Sequence, residues 1–278
     1  MPVLRSTALI DAAPATVAGL LRDVELTARA LRRDGHRVAA DVRLLAPGDQ
    51  VRIGLALLPG VRLPVRMVLD AVSETEVVAR ASGGVLPELV RSVRLTPTPA
   101  GTLVLDELRW TAPGGPLGRL VDVLLGRRLV LRAQAATLCG LADRAAALAG
   151  GPVVVAAAVH RSGRLLVARR ARPAALAGRW ELPGGRVEPG ESELEALGRE
   201  CREELAAAVT VTGRLGTDLP IDAGVLRVYA AELAGGAAEP QPLEHDALRW
   251  VGPAELAGLD WLDADRAVLA DLAGLLRR

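Results

Sequence analysis

The sequence predicts an α+β protein of two domains, and three observations lead there. Half of its 278 residues are hydrophobic and 24% are charged, enough apolar content for each half to bury its own core. Gly150-Gly151-Pro152 follows the helical pattern of Ala145–Ala149, and Gly then Pro is a helix stop. The two sides differ in character: strand, helix, strands and a long amphipathic stretch before it, then apolar runs, a Gly/Pro-rich loop and an acidic helix after it. The expected domains are therefore 1–149 and 150–278, without an internal repeat.

In the first half, residues 6–14 read as a strand ending in Ala-Ala-Pro, and 15–31 as one helix. Strand patterns follow at 37–44, 50–56, 62–72, 75–81, 89–97 and 101–111, and a long amphipathic stretch runs from Leu117 to Ala149 with Gly126 inside it. This order resembles the START/polyketide-cyclase-like (SRPBCC) helix-grip fold. GPLGRLVDVLLGRRL (115–129) and the opening strand, Ala-Pro and helix carry the resemblance. It implies an antiparallel sheet around a long C-terminal helix, with an apolar cavity for a hydrophobic small molecule. The alternative is a structural or interaction domain with a filled core. His36 and His160 stand alone and are expected to be structural.

Composition removes several chemistries. All 34 basic side chains are Arg, and the chain has no Lys and no Asn. That excludes a Schiff-base lysine, a Walker-type phosphate lysine and a Ser-Lys dyad. Residues 1–149 carry 19 Arg and 14 acids, a balance of +5, and 150–278 carry 15 Arg and 19 acids, a balance of −4. Neither half shows the basic face with interleaved aromatics of a nucleic-acid binder. The two cysteines, Cys139 and Cys201, fall one in each half, which argues against a disulfide or a cysteine zinc site and suits a reducing cytoplasm. Arg5 and Asp11 interrupt any secretory leader, and no uncharged run reaches the ~20 residues of a membrane span.

The chemistry lies in the second half. Residues 153–160 and 164–169 read as strands around Arg161-Ser162-Gly163, and 180–191 (WELPGGRVEPGE) as mostly irregular. Residues 192–207 are strong helix formers, with Ser192 and Glu195 fitting a capping box. Leu194, Leu197, Cys201 and Leu205 give that helix an apolar face. Glu200, Glu203 and Glu204 lie at i, i+3 and i+4, so their carboxylates leave from one side. Like charges at this spacing oppose one another. They are either a solvated acidic face or hard oxygen ligands for Mg²⁺ or Mn²⁺, which also bind substrate phosphates.

The loop favours the second reading. Gly185, five residues, Glu191, seven residues, Arg199-Glu200, an apolar residue, any residue and Glu203-Glu204 together resemble the Nudix box. Ala206 stands where that pattern has Gly, and is expected to let the helix run on. Residues 152–276 resemble the MutT-like branch, which cleaves nucleoside triphosphates to monophosphate and pyrophosphate. The resemblance implies a Nudix α/β/α sandwich with a mixed sheet. It implies that the Gly184 carbonyl, Glu200, Glu203 and Glu204 hold the metals, and that Glu191 pairs with Arg199. Arg170 is implied on the substrate phosphates, and Glu244 as a distal acid. Glu203 and Glu244 are the two candidates for general base.

Base selection points to Asp265, since no Asn is available. Ionised, Asp265 accepts from an amino group as on cytosine; protonated in an apolar pocket, it donates to a keto oxygen as on 8-oxoguanine. The competing reading is a helix N-cap. Trp180 or Leu182 is expected to wall the base, while Trp250 and Trp261 read as core. Two function classes follow: a metal-dependent nucleotide pyrophosphohydrolase on a CTP-like or 8-oxo-dGTP-like substrate, or on a diphosphate derivative such as ADP-ribose, and a non-catalytic nucleotide sensor. The intact acid set favours the enzyme. Oligomeric state is not legible.

Overall fold

The computed structural model describes residues 3–58, 61–84, 88–111, 126–222 and 224–277. The chain divides into two compact units, Met1–Ala149 and Gly150–Arg278.

The first unit is a seven-stranded antiparallel sheet: β1 (Val3–Ile10), β2 (Arg37–Ala39), β3 (Gln50–Leu58), β4 (Val61–Val72), β5 (Glu76–Gly84), β6 (Val90–Thr98) and β7 (Gly101–Arg109), in the order β1-β7-β6-β5-β4-β3-β2. Side chains alternate along its strands, so one face is apolar and the other meets water. Val93, Leu95 and Val104 on the apolar face pack with Leu138, Leu141 and Ala145 of the long helix α3 (Arg127–Leu148). The stretch expected from Leu117 starts as a described helix at Arg127, and residues 112–125, most of the GPLGRLVDVLLGRRL segment, lie outside the described residues.

The helix expected over 15–31 is two: α1 (Pro14–Leu20) and α2 (Val24–Arg32). Asp23 makes the break. Its Oδ1 accepts from the N–H of Glu25 at 2.8 Å and of Leu26 at 3.4 Å, and this N-cap restarts the helix in a new direction. Inside the sheet, next to α3, lies a cavity of about 160 Å³ lined mainly by apolar side chains.

The second unit holds a mixed seven-stranded sheet. β8 (Val153–Arg161) and β9 (Arg164–Arg170) form a hairpin through Ser162-Gly163, both with positive φ. β13 (Gly224–Leu233) runs parallel to β8 and antiparallel to β12 (Val209–Ile221). β10 (Trp180–Glu181) and β14 (His245–Val251) pair with β9, and β11 (Gly184–Arg186) pairs with β8. The loop expected to be irregular over 180–191 thus carries two short strands. β8 is buried continuously over Val155–Val159, which requires cover on both faces. Helix α4 (Glu193–Leu205) covers one through Ala196, Leu197, Cys201 and Leu205. Leu194, expected on that face, is exposed, and Ala196 takes the buried place. Short helices α5 (Asp263–Arg266) and α6 (Leu269–Leu275) end the unit.

α4 starts at the expected capping box: the Glu195 N–H donates to Ser192 Oγ, and the Ser192 N–H donates to the Glu195 carboxylate. Its end differs from expectation. Ala206 takes φ +54° and closes the helix at Leu205, its N–H donating to the Arg202 carbonyl at 3.1 Å while the Ala207 N–H reaches the Cys201 carbonyl at 3.4 Å. Packing on either side imposes a left-handed residue that suits Gly, so the helix does not run on. Ala206→Gly removes a Cβ penalty of about 1–2 kcal/mol, less the flexibility Gly adds to the unfolded chain. We expect a net stabilisation of about 1 kcal/mol in urea unfolding; an unchanged or lower midpoint would contradict this account of the helix end.

Candidate active site

The site forms where β11 meets α4, and two glycines make the approach possible. A Cβ on Gly184 would stand 2.0 Å from the Val155 carbonyl oxygen, and one on Gly185 would stand 2.1 Å from Glu200 Oε1. Gly184 therefore lets the loop seat against β8, and Gly185 leaves room for a carboxylate. The register makes Gly184 and Ala156 a non-hydrogen-bonded pair, flanked by the Ala157 N–H donating to the Pro183 carbonyl. The N–H and carbonyl of Gly184 therefore both face away from β8. The N–H donates to Glu204 Oε2 at 2.8 Å, and the carbonyl opens to the same side.

Arg199 gathers the acids. Its Nε and Nη2 donate to the two oxygens of Glu191 at 3.0 and 3.1 Å, and Nη2 also donates to the Arg186 carbonyl at 3.0 Å. Its Nη1 donates to Glu200 at 2.9 Å and Glu203 at 3.1 Å. The hydrogen bonds from Arg199 hold the Glu191 carboxyl below its ordinary pKa, and the surrounding carboxylates, Glu191 first, raise that of Arg199. One guanidinium thus ties the loop to the helix and sets two of the three acids beside each other.

Glu204 differs from its neighbours. Burial pushes its pKa up to about 7, with the fields of Glu200 and Glu181 adding to the rise and those of His245 and the Gly184 N–H opposing it. A cation here would relieve that crowding, and the donors on offer are hard oxygens suited to Mg²⁺ or Mn²⁺. No three Asp, Glu, His or Cys side chains among the described residues converge as a ready-made nest. Arg199 draws Glu200 and Glu203 to itself, and Gly184 holds Glu204. The residues fit a metal by their chemistry and their shared helix face, with the carboxylates turning from Arg199 and Gly184 to reach it.

A second polar group joins this one. Glu181, buried on β10, accepts from Arg170 Nη1 on one oxygen and stands 3.1 Å from His245 Nε2 on the other. Arg170 Nε also donates to the Arg172 carbonyl, so Arg170 meets Glu181 first, with its side chain 35% exposed. His245 and Arg170 are direct partners in the β14–β9 register. Burial opposes a charge on His245, but the hydrogen bond to Glu181 and the fields of Glu204 and Glu181 outweigh it and raise its pKa. Glu244, expected to reach the metal site, is exposed beside it. β14 begins at His245, whose imidazole turns inward, and Glu244 lies just before it in the exposed bend. Neither Glu181 nor His245 was picked out from the sequence; the one signal was an acid between Trp180 and Leu182 in an otherwise apolar strand.

Asp265 closes the other end of the group. It is the third residue of α5 and caps nothing; the N-cap is Leu262. Its Oδ1 instead accepts from the Leu182 N–H at 3.1 Å. Burial pushes its pKa up to about 7, against the pull of that hydrogen bond. Leu182 is itself buried, while Trp180 is half-buried, its backbone N–H donating to the Asp260 carbonyl at 2.7 Å. Trp261 is core as expected. Trp250 is half-buried, under the Arg161 guanidinium at 4.5 Å from the ring centroid. Cys201 is fully buried on the core side of α4, its thiol pushed up to about 12 by burial, so it is inert.

A mixed sheet with a glycine turn feeding an acidic helix is the frame of this site, and the comparisons with known proteins identify its class as a hydrolase. The NUDIX domain model matches residues 151–272. The chain is 49% identical over 128 residues to a Mycobacterium tuberculosis protein named "Putative 8-oxo-dGTP diphosphatase 2", covering 45% of this chain and 89% of that one. It is 36% identical over 117 residues to the CTP pyrophosphohydrolase of Escherichia coli, covering 42% and 87%. The solution structure of the E. coli ORF135 protein matches at 34% identity and a TM-score of 0.39, covering 45% of this chain and 89% of that one. The chain belongs to the Nudix family of hydrolases.

The Asp265 carboxyl has a consequence for stability. An unfolded Asp titrates near 3.9, so between about pH 4 and 7 the folded chain holds a proton that the unfolded chain has lost. Stability from this group therefore falls as pH rises through that window and stays low above it. Asp265→Asn keeps the Leu182 contact and cannot ionise. We expect it to raise the melting temperature at pH 8 and to match the unaltered chain near pH 4; equal melting temperatures at pH 8 would contradict the buried-acid account.

Proposed function

We propose that the second unit hydrolyses (d)NTP and water to (d)NMP and pyrophosphate, and that it requires Mg²⁺, with Mn²⁺ able to substitute. The observation that carries this is the Arg199-anchored face of Glu200, Glu203 and Glu204 beside Gly184 and Gly185. Glu200, Glu203, Glu204 and the Gly184 carbonyl would hold the metal. Bound there, it would supply Lewis acidity and neutralise phosphate charge. Glu191 acts through Arg199, holding it in position. Arg170 meets the substrate phosphates while Glu181 keeps its guanidinium in plane, and Arg offers the bidentate contact that phosphate favours. The attacking water must lose a proton to an accessible carboxylate, and Glu203 and Glu244 are both exposed.

We read the nucleotide as 8-oxo-dGTP. A buried Asp265 with a pKa of about 7 can donate to a keto oxygen, and the mycobacterial relative's name agrees. A CTP-like substrate is the second reading, supported by the E. coli relative and by what an ionised Asp265 could accept. We further read the first unit as a helix-grip domain that takes a hydrophobic small molecule, supported by its antiparallel sheet, long helix and apolar cavity. Both cysteines are free, in keeping with the cytoplasm. No helix among the described residues is long and apolar enough to cross a membrane.

The test is a panel of 8-oxo-dGTP, dGTP, CTP and ADP-ribose with Mg²⁺, detecting pyrophosphate and phosphate separately. We expect pyrophosphate, fastest from 8-oxo-dGTP, with kcat lowered about 10²–10⁴-fold in Glu203→Gln. Phosphate alone, or full activity in that variant, would overturn the mechanism; ADP-ribose as sole substrate would overturn the substrate class.

A further inference from the structure

The cavity of the first unit has a size and a charge state that select its ligand. Its volume of about 160 Å³ is close to the ~150 Å³ of an engineered apolar cavity that stays dry and takes benzene. Leu69, Val93, Leu108 and Val130 represent its apolar lining. One corner is polar. Asp106 is fully buried and receives Arg91 Nε at 3.0 Å and Nη2 at 2.8 Å. Gln134 Nε2 donates to the Asp106 carbonyl at 3.0 Å, and Gln134 Oε1 faces Ser6 Oγ at 3.2 Å.

This corner is neutral as a unit. The carboxylate cancels the guanidinium, so a second anion would enter an apolar space without a counter-charge, a costly burial. Yet a guanidinium has five N–H donors, and two face Asp106, which leaves donors for an uncharged acceptor. A volume of this size suits one ring better than a folded acyl chain.

We infer that this cavity binds an uncharged, single-ring apolar molecule bearing one hydrogen-bond acceptor, of the phenol class, and not a lipid or an aromatic acid. The inference rests on the reading that the first unit takes a hydrophobic small molecule, and it names the ligand class.

The experiment titrates the full chain calorimetrically with p-cresol, toluene, benzoate and decanoate. p-Cresol should bind tightest, toluene more weakly and decanoate not at all, with benzoate about tenfold or more below p-cresol for want of a counter-charge. Ala133, half-buried on α3, lines the cavity. Ala133→Leu fills the space with a good helix former and should lose p-cresol binding while pyrophosphate release from nucleotide persists. Asp106→Asn frees the Arg91 charge and should bring benzoate up to p-cresol; if it does not fold, the probe ranking and Ala133→Leu decide. Benzoate or decanoate binding best to the unaltered chain overturns the ligand class alone. No binding by any probe overturns the small-molecule reading with it, and p-cresol binding untouched by Ala133→Leu overturns the cavity as its place.

Discussion

The second unit depends on one guanidinium. Arg199 donates to Glu191 and the Arg186 carbonyl on the loop, and to Glu200 and Glu203 on its own helix. Without it, Glu200, Glu203 and Glu204 would repel one another across a single helix face, and the loop would be left with β11 pairing and the Gly184–Glu204 hydrogen bond to tie it to that face. The network is cooperative by construction. The two helix acids that Arg199 holds, Glu200 and Glu203, are the proposed ligands, and the loop it anchors through Glu191 carries Gly184, whose N–H meets Glu204. Lys, with a compact point charge, could not span these partners at once.

Charge is distributed with purpose around this hub. Glu203 is exposed, while half-buried Glu204 and buried Asp265 each have a pKa pushed up to about 7 by desolvation. Between them lie Glu181, Arg170 and His245, an alternation of acid and base from the helix face to α5. The raised pKa of Asp265 costs folding stability above neutral pH. In a chain whose Lys-type cations are all replaced by Arg and which has no Asn, any cationic side-chain contact to a phosphate must come from Arg, and any Asn-type contact from an acid or Gln.

Much of this was legible because it is local. The spacing from Gly185 to Glu204 is a property of one turn and one helix, so the carboxylate face and the capping box could be read from residue offsets, while the Glu191–Arg199 pairing followed from the resemblance to the Nudix box. Strand alternation in the first unit is equally local. What depends on register was hidden. Glu181 and His245 lie 64 positions apart and meet because β10 and β14 both pair with β9. Arg91 and Asp106 meet across β6 and β7. The break at Asp23 and the left-handed Ala206 were missed for another reason. At Asp23 a side-chain N-cap, and at Ala206 tertiary packing, overrode a helix-favouring segment, and propensity alone cannot show either.

The central claim is that Glu191 works only through Arg199. A double-mutant cycle measures it directly: kcat for pyrophosphate release in Glu191→Gln, Arg199→Gln and the double variant, with circular dichroism confirming that each folds. The account predicts strong non-additivity, with the double variant no slower than Arg199→Gln alone. Additive losses would mean that the two residues act independently, and would contradict it.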